Sequence, residues 1–270
     1  MFNFINPKAG ISYSYKGCKI FASYAMANKE PNRDDFEASK IQQPKHESLH
    51  DIELGIEKRN SRYSWGATAY YMRYQNQLIL TGKLNDVGAY TRVNVPKSYR
   101  AGVEIQGKAN IADWLSVAGN FAYSRNKIKT ADEFLDDYDN GGQLKIQHNN
   151  TTIAFSPDVV GGATINIIPI KNGVLTISEK YISRQYLDNT QNDTRSLDAY
   201  FVQDCKATYK VKTNLLGQLE IIAAVYNLLN SKYEPNGYTY SYIYEGKTTT
   251  ENFYYPMAGR NFMVGMNVKF

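Results

Sequence analysis

The chain has 270 residues, with 31 lysines and arginines against 26 acidic residues and a mean hydropathy of −0.50. Both signs of charge run along the whole length without a basic block, which speaks against nucleic acid as a partner, and no run of about 18 apolar residues offers a transmembrane helix. Twenty-three tyrosines, with glycine and asparagine plentiful and leucine scarce, make a β-rich recipe. A membrane stays open, because barrel strands need apolar groups only at every second position.

From Met1 the chain runs through Phe2, Asn3, Phe4 and Ile5 without the basic stretch, long apolar core and cleavage site of a signal peptide. Strands are predicted over Lys8 to Lys16, Cys18 to Ala27, Leu49 to Arg59, Arg62 to Leu80, Ser98 to Ile111, Trp114 to Lys129, Val159 to Pro169, Val174 to Leu187, Leu197 to Val211, Gln218 to Leu229 and Gly259 to Phe270. Tight turns are expected at Lys16-Gly17, Asn60-Ser61, Ala112-Asp113, Lys171-Asn172-Gly173 and Thr213-Asn214. Long polar connections fill Asn28 to Ser48, Thr81 to Lys97, Thr130 to Asp158, Asp188 to Ser196 and Asn230 to Ala258. Short turns alternating with long loops are the pattern of outer-membrane barrels. Cys18 and Cys205 fall in separate strands and read as two small apolar residues, with a disulfide open in an oxidising compartment.

Alternation within the strands points the same way. Ile11, Tyr13 and Tyr15 oppose Gly10, Ser12 and Ser14; Ile52, Leu54 and Ile56 oppose Asp51, Glu53 and Glu57. Ala101, Val103, Ile105 and Ala109 oppose Arg100, Glu104, Gln106 and Lys108, so Arg100, Glu104 and Lys108 are expected to line a polar lumen, with ion-pair ladders of Arg100 and Lys108 to Glu104. Two strands resist: Ile20 to Met26 is apolar on both sides, and Glu179 falls in line with Leu175, Ile177 and Tyr181. Tyr15, Trp114, Tyr123, Tyr186 and Tyr209 near strand ends fit interfacial girdles.

The final strand sets Phe262, Val264, Met266, Val268 and Phe270 on one face and Gly265, Asn267 and Lys269 on the other. Taken alone, that alternation also fits the half-buried last strand of a soluble sandwich. Gly265, Val268 and Phe270 resemble the C-terminal signal read by the bacterial barrel-assembly machinery, although that pattern prefers a polar residue where Met263 stands. If the chain ends on the periplasmic side with long loops outside, counting back through about eleven strands leaves the first one starting outside. Complete single-chain bacterial barrels have an even strand number, so the fold expected is all-β: part of an antiparallel transmembrane β-barrel.

Several stretches resemble TonB-dependent outer-membrane receptors. They are Ser23 to Arg33, Pro44 to Glu47 with Ile52 to Gly55, Tyr70 to Leu78, Asn94 to Pro96 with Gly102 to Ile105, Tyr181 to Asn189, and Val225 to Tyr233, in a flavour similar to Bacteroidetes receptors. The resemblance runs from about Pro7 to Phe270 and implies a barrel of about 22 strands, of which residues 1–270 supply about eleven as the C-terminal portion. It further implies a plug and a remaining barrel half that precede this chain, and active uptake of an iron-siderophore complex, haem, cobalamin or a glycan. Energy would come from TonB, acting only through the missing N-terminal part. The implied location is the Gram-negative outer membrane, with its lipid and the assembly machinery as partners.

Outer loops are the candidate ligand contacts: Asn32, Arg33, Tyr238, Tyr240, Tyr242 and Tyr244. The acidic run Asp132, Glu133, Asp136, Asp137 and Asp139 reads as a solvated loop, with calcium as the sharper alternative. His46 and His50 make a metal pair only on a helix, which Pro44 and the strand at Ile52 oppose. No catalytic constellation, resident cofactor or metal site is expected, and the chain is not read as an enzyme. The competing reading is a soluble, secreted β-sandwich that binds carbohydrate or acts as an adhesin. Strands of about 10 to 16 residues are long for a sandwich and suit a tilted barrel wall.

Overall fold

The computed structural model describes residues 3–38, 43–85, 88–213 and 217–269. Sixteen strands and one short helix follow in order: β1 Lys8–Tyr15, β2 Cys18–Lys29, α1 Arg33–Ala38, β3 Glu47–Arg59, β4 Tyr63–Leu84, β5 Tyr90–Ala112, β6 Leu115–Asp137, β7 Gln143–Thr152, β8 Val159–Ile167, β9 Gly173–Ile182, β10 Gln185–Tyr186, β11 Ser196–Leu197, β12 Tyr200–Thr213, β13 Gly217–Tyr226, β14 Asn236–Tyr244, β15 Lys247–Tyr255 and β16 Asn261–Lys269. Eleven of them, β1-β2-β3-β4-β5-β6-β8-β9-β12-β13-β16, form one continuous antiparallel wall in chain order. Each corresponds to one of the predicted strands. The sandwich reading does not hold, because among the described residues no second sheet lies against the apolar rows of this wall.

Register carries the oily face across the wall. Leu54 pairs with Ala22 and Ala69, Ala69 with Val103, and Val103 with Tyr123; at the far edge Ala223 pairs with Val264 and Ile221 with Met266. These side chains stay uncovered: Ile11 is 76 % exposed, Leu54 58 % and Val264 82 %. Period-2 alternation explains why one face is apolar throughout, and an apolar face this large is stable only against lipid or another apolar surface. Tyr15, Trp114 and Tyr209 stand exposed near strand ends and Tyr123 stands exposed within β6, whereas Tyr186 leaves the wall. The chain departs from the sheet after Ile182, and Gln185 and Tyr186 pair with Leu197 and Ser196 in a separate two-stranded ribbon.

The inner face is shaped by aromatic rings lying over glycines. Phe21 occupies the space that a side chain at Gly55 would fill, and Tyr70 does the same at Gly102; both positions demand the missing Cβ. Short turns gather at one end of the wall. Lys16 and Gly17 both have positive φ (45° and 75°), the signature of a tight two-residue hairpin. Asn60 Oδ1 accepts the backbone N–H groups of Arg62 and Tyr63, and Asn172 (φ 67°) turns β8 into β9. Asn214 of the expected Thr213-Asn214 turn and Phe270 lie outside the described residues.

The long connections occupy the other end, and three of them are not loops. β4 and β5 continue as a paired hairpin to Leu84 and Tyr90, β6 pairs with β7, and β14 pairs with β15. Beyond Asn76 (φ 52°) the apolar side chains of β4 turn inward, and Ile79 is sealed with Val95, Ile128, Ala131 and Ile153. Here lies the dry core of the chain. Leu135, Leu187 and Leu197 are also buried at this end.

Candidate functional site

The candidate site is the layer that the long connections build over the wall. Its most ordered part is the β14–β15 hairpin, whose alternation sorts side chains by face. Thr239 and Ser241 are buried underneath, and Tyr238, Tyr240, Tyr242 and Tyr244 share the other side. Tyr238 stacks on Phe253 across the ladder, with ring centroids 4.7 Å apart and an 11° interplanar angle. Tyr138, from the β6–β7 hairpin, meets Tyr242 edge-on at 5.5 Å.

Hydroxyls of this aromatic face are tied to carboxylates. Tyr240 O–H donates to Asp136 Oδ2 at 2.7 Å, and Tyr242 O–H donates to Glu251 Oε1 at 3.0 Å. The Tyr138 hydroxyl lies 2.9 Å from that of Tyr240, and Lys83 Nζ stands 5.4 Å from the Tyr240 ring centroid. The bond to Tyr138, burial and the bond to Asp136 push the Tyr240 hydroxyl above its usual range. Burial alone would raise the Asp136 carboxyl, but bonds from Gln143 and Tyr240 and the charge of Lys83 outweigh it and hold it low. Proton and charge therefore sit stably, phenol as donor and carboxylate as acceptor.

Beneath the hairpin lies a buried ionic knot. Arg195, between β10 and β11, binds Glu133 of β6 and Asp188, at 2.9 Å for the latter, and reaches Thr250 of β15. His148 of β7 completes it at 2.7 Å from Glu133. Burial alone would lower the Arg195 guanidinium, yet its bonds to Glu133 and Asp188 raise it. Neighbouring amides stitch the same segment down: Asn189 accepts from Ala154 N–H and donates to Leu80 O, while Gln191 accepts from Thr152 N–H and Lys127 Nζ.

The remaining candidates take structural places. Asn32 caps α1, accepting the Asp35 N–H at 2.9 Å, while its own N–H binds Asp35 Oδ2 at 2.8 Å. Asp35 is buried and pairs with Arg92 of β5, which fastens this connection to the next. Arg33 begins the helix. Strand alternation splits the acidic run: Asp132 pairs with Lys145, Glu133 joins the knot, Asp136 holds Tyr240, Asp137 caps its own turn, and Asp139 accepts from Glu245 N–H and Gly246 N–H. Among the described residues no cluster of metal-ligating groups forms. His50, in β3, lies 2.8 Å from the Tyr24 hydroxyl, and His46 meets Phe4. Cys18 and Cys205 are free.

Arg100, Glu104 and Lys108 line the hollow inner face. Lys108 borders an open cavity of about 780 Å³ with Glu57, Asn120 and Lys180, and Arg100 and Glu104 border a second of about 480 Å³. The expected ion-pair ladders do not form. Residues four apart on a strand stand roughly 13 Å apart, a spacing that brings side chains together only on a helix. Arg100 instead donates to Asn126 and to Ser156, gripping the inward-dipping segment at residues 153–157.

This arrangement, a one-layer wall with an oily exterior and a loop layer at one end, agrees with sequence comparison. The profile of the family described as "TonB dependent receptor-like, beta-barrel" matches residues 2–228. The chain belongs to that family. Solved receptor barrels share its shape at low identity. The siderophore receptor PiuA from Acinetobacter baumannii superposes with a TM-score of 0.70 at 15 % identity, over 97 % of this chain and 35 % of that one. The closed form of the ferric-catecholate import receptor Fiu from E. coli K12 gives 0.66 at 18 %, over 97 % and 34 %. The ferric yersiniabactin uptake receptor FyuA from Yersinia pestis gives 0.63 at 16 %, over 97 % and 36 %. No curated protein matches by sequence. This receptor-barrel chain thus spans about a third of the length of the solved receptors.

Proposed function

We propose that the chain is the C-terminal portion of the wall, with five outer connections, of an outer-membrane receptor for active uptake of a scarce small ligand. Iron-siderophore complexes, haem, cobalamin and glycans are the ligand classes, and the solved receptors of similar shape, named for siderophores, favour the first. The observation that carries this reading is the uncovered apolar face running from Ile11 to Val264 behind a polar, hollow inner face. β1 pairs only with β2 and β16 only with β13 among the described residues. The rest of the wall would pair with those two edges, since open ladders are not tolerated in lipid. Gly265 and Val268 in β16, with Phe270, would deliver the protein to the assembly machinery, and TonB would act through the preceding part.

Ligand capture falls to the aromatic face of Tyr238, Tyr240, Tyr242 and Tyr244 with Tyr138, supported by Lys83. The test is growth of a strain lacking the intact gene, complemented by wild type or by a version without residues 236–255, on a panel of iron-siderophores, haem, cobalamin and glycans. One ligand class should support growth only with wild type. Equal growth of all strains on every member of the panel would refute the uptake reading. This chain alone, refolded into vesicles, should show no TonB-dependent uptake.

A further inference from the structure

The lipid-facing side of the wall carries a carboxylate where its neighbours carry hydrocarbon. Register followed from Leu54 through Ala69, Val103 and Tyr123 to Val159 puts Ala163 of β8, Glu179 of β9 and Gln203 of β12 side by side on the outward face. Other charges on this face stand level with the aromatic rows or beyond them, Lys58 opposite Trp65 at the short-turn end. Arg73 and Arg125 each lie two residues to the loop side of an exposed tyrosine, Tyr71 and Tyr123. Glu179 lies two residues to the opposite side of Tyr181. Measured from Gly173, which pairs with girdle Tyr209, Glu179 sits roughly 15 Å into an apolar band about 25 Å tall.

Gln203 Nε2 donates to Glu179 Oε1 at 2.7 Å. Among the described residues no other side-chain bond reaches either group, so Glu179 Oε2 and the second Gln203 N–H face outward unpaired. Groups of this kind in hydrocarbon are costly unless they find a partner, and an ionisable one there is by default a functional site whose partner must be named. The floor around them is low: Gly161, Ala163 and Cys205 flank the pair, which lets a second wall approach closely.

We infer that this patch is a two-fold contact between two copies of the receptor in the membrane plane. The patch is self-complementary, with an acceptor and a donor next to one another. A two-fold axis through it sets the free Gln203 N–H of each copy against Glu179 Oε2 of the other, whereas a foreign protein would have to bring its own donor. The inference rests on the membrane reading above.

Cys205, free and two residues from Gln203 on the same face, reports the contact directly. The intact receptor, carrying Cys18→Ser, is treated with a short bifunctional maleimide in outer-membrane preparations. A dimer-mass adduct is expected. It should fall roughly tenfold, equivalent to about 1.4 kcal/mol, in the double variant Glu179→Leu/Gln203→Leu, and persist in Glu179→Gln, which keeps the hydrogen bonding. An embedded receptor that yields only monomer, or an adduct with a different protein, overturns the inference. Failure to fractionate with the outer membrane overturns the membrane reading as well, so the two failures are told apart.

Discussion

In the wall, Ile11, Leu54, Phe262 and Val264 stay uncovered and among the described residues no second layer meets them, whereas in the loop layer Ile128, Leu135, Leu187 and Leu197 are sealed from solvent. The same residue types are treated in opposite ways within one chain, and for Leu54 against Ile128 and Leu135 within one sheet, because β4, β5 and β6 pass from one region into the other. On the membrane reading proposed above, the difference lies in the solvent each region meets. A wall in lipid needs only its ladder bonds satisfied and an oily exterior. A layer standing in water must build a dry core as globular proteins do, and it must satisfy its irregular backbone with side chains such as Asn189 and Gln191.

The sharpest way to separate the two regions is Arg195→Ala. It leaves Glu133 and Asp188 buried without their cation, at a cost of about 3–5 kcal/mol. In the intact receptor, limited proteolysis should cut near residues 187–197 while the barrel keeps its heat-modifiable migration. Loss of the barrel together with the loops would mean that the layers fold as one unit. Next comes Ile128→Ala, which empties a sealed site and should cost about 2–5 kcal/mol in denaturant unfolding. Ile105→Ala on the oily face should cost well under half of that, since lipid chains fill the space. Equal costs would break the comparison. Val103→Arg should then impede membrane assembly by about 2–4 kcal/mol, while Gln106→Arg on the inner face assembles normally.

The wall was legible in the sequence because a period of two along Ile52-Leu54-Ile56 or Phe262-Val264-Met266 is a local signal, and each strand carries it independently. The loop layer was only half legible. Tyr238-Thr239-Tyr240-Ser241-Tyr242 alternates as clearly as any wall strand, yet its polar inner face made it read as a loop. A structureless connection that long is itself uncommon, which was the available warning. The knot of Arg195, Glu133, Asp188 and His148 left no signal, since its members come from separate connections and meet only in three dimensions. Arg100 and Glu104 misled in the opposite sense, because a shared face on a strand does not bring residues four apart within reach of each other.

The smallest expected effect tests how the tyrosine face is fastened to the layer beneath. Tyr240→Phe removes the donor to Asp136 and, at a half-buried site where solvent still screens the charge, should cost about 1 kcal/mol. Asp136 has its carboxyl held below the ordinary 3.8, so its contribution is complete above that value and is lost as pH falls through the lowered one. Tyr240, raised above the ordinary 10.0, contributes fully below that value and loses its share only as pH climbs through the raised one. The hydrogen-exchange protection factor over residues 236–255 of the intact receptor, taken against the intrinsic rate at each pH, should therefore be unchanged across neutral pH and fall in acid for the wild type. In Tyr240→Phe it should be lower at neutral pH and respond less to acid. An identical acid response in both proteins would show that the hairpin is held by its buried Thr239 and Ser241 face alone, and that the tyrosines stand free for a ligand.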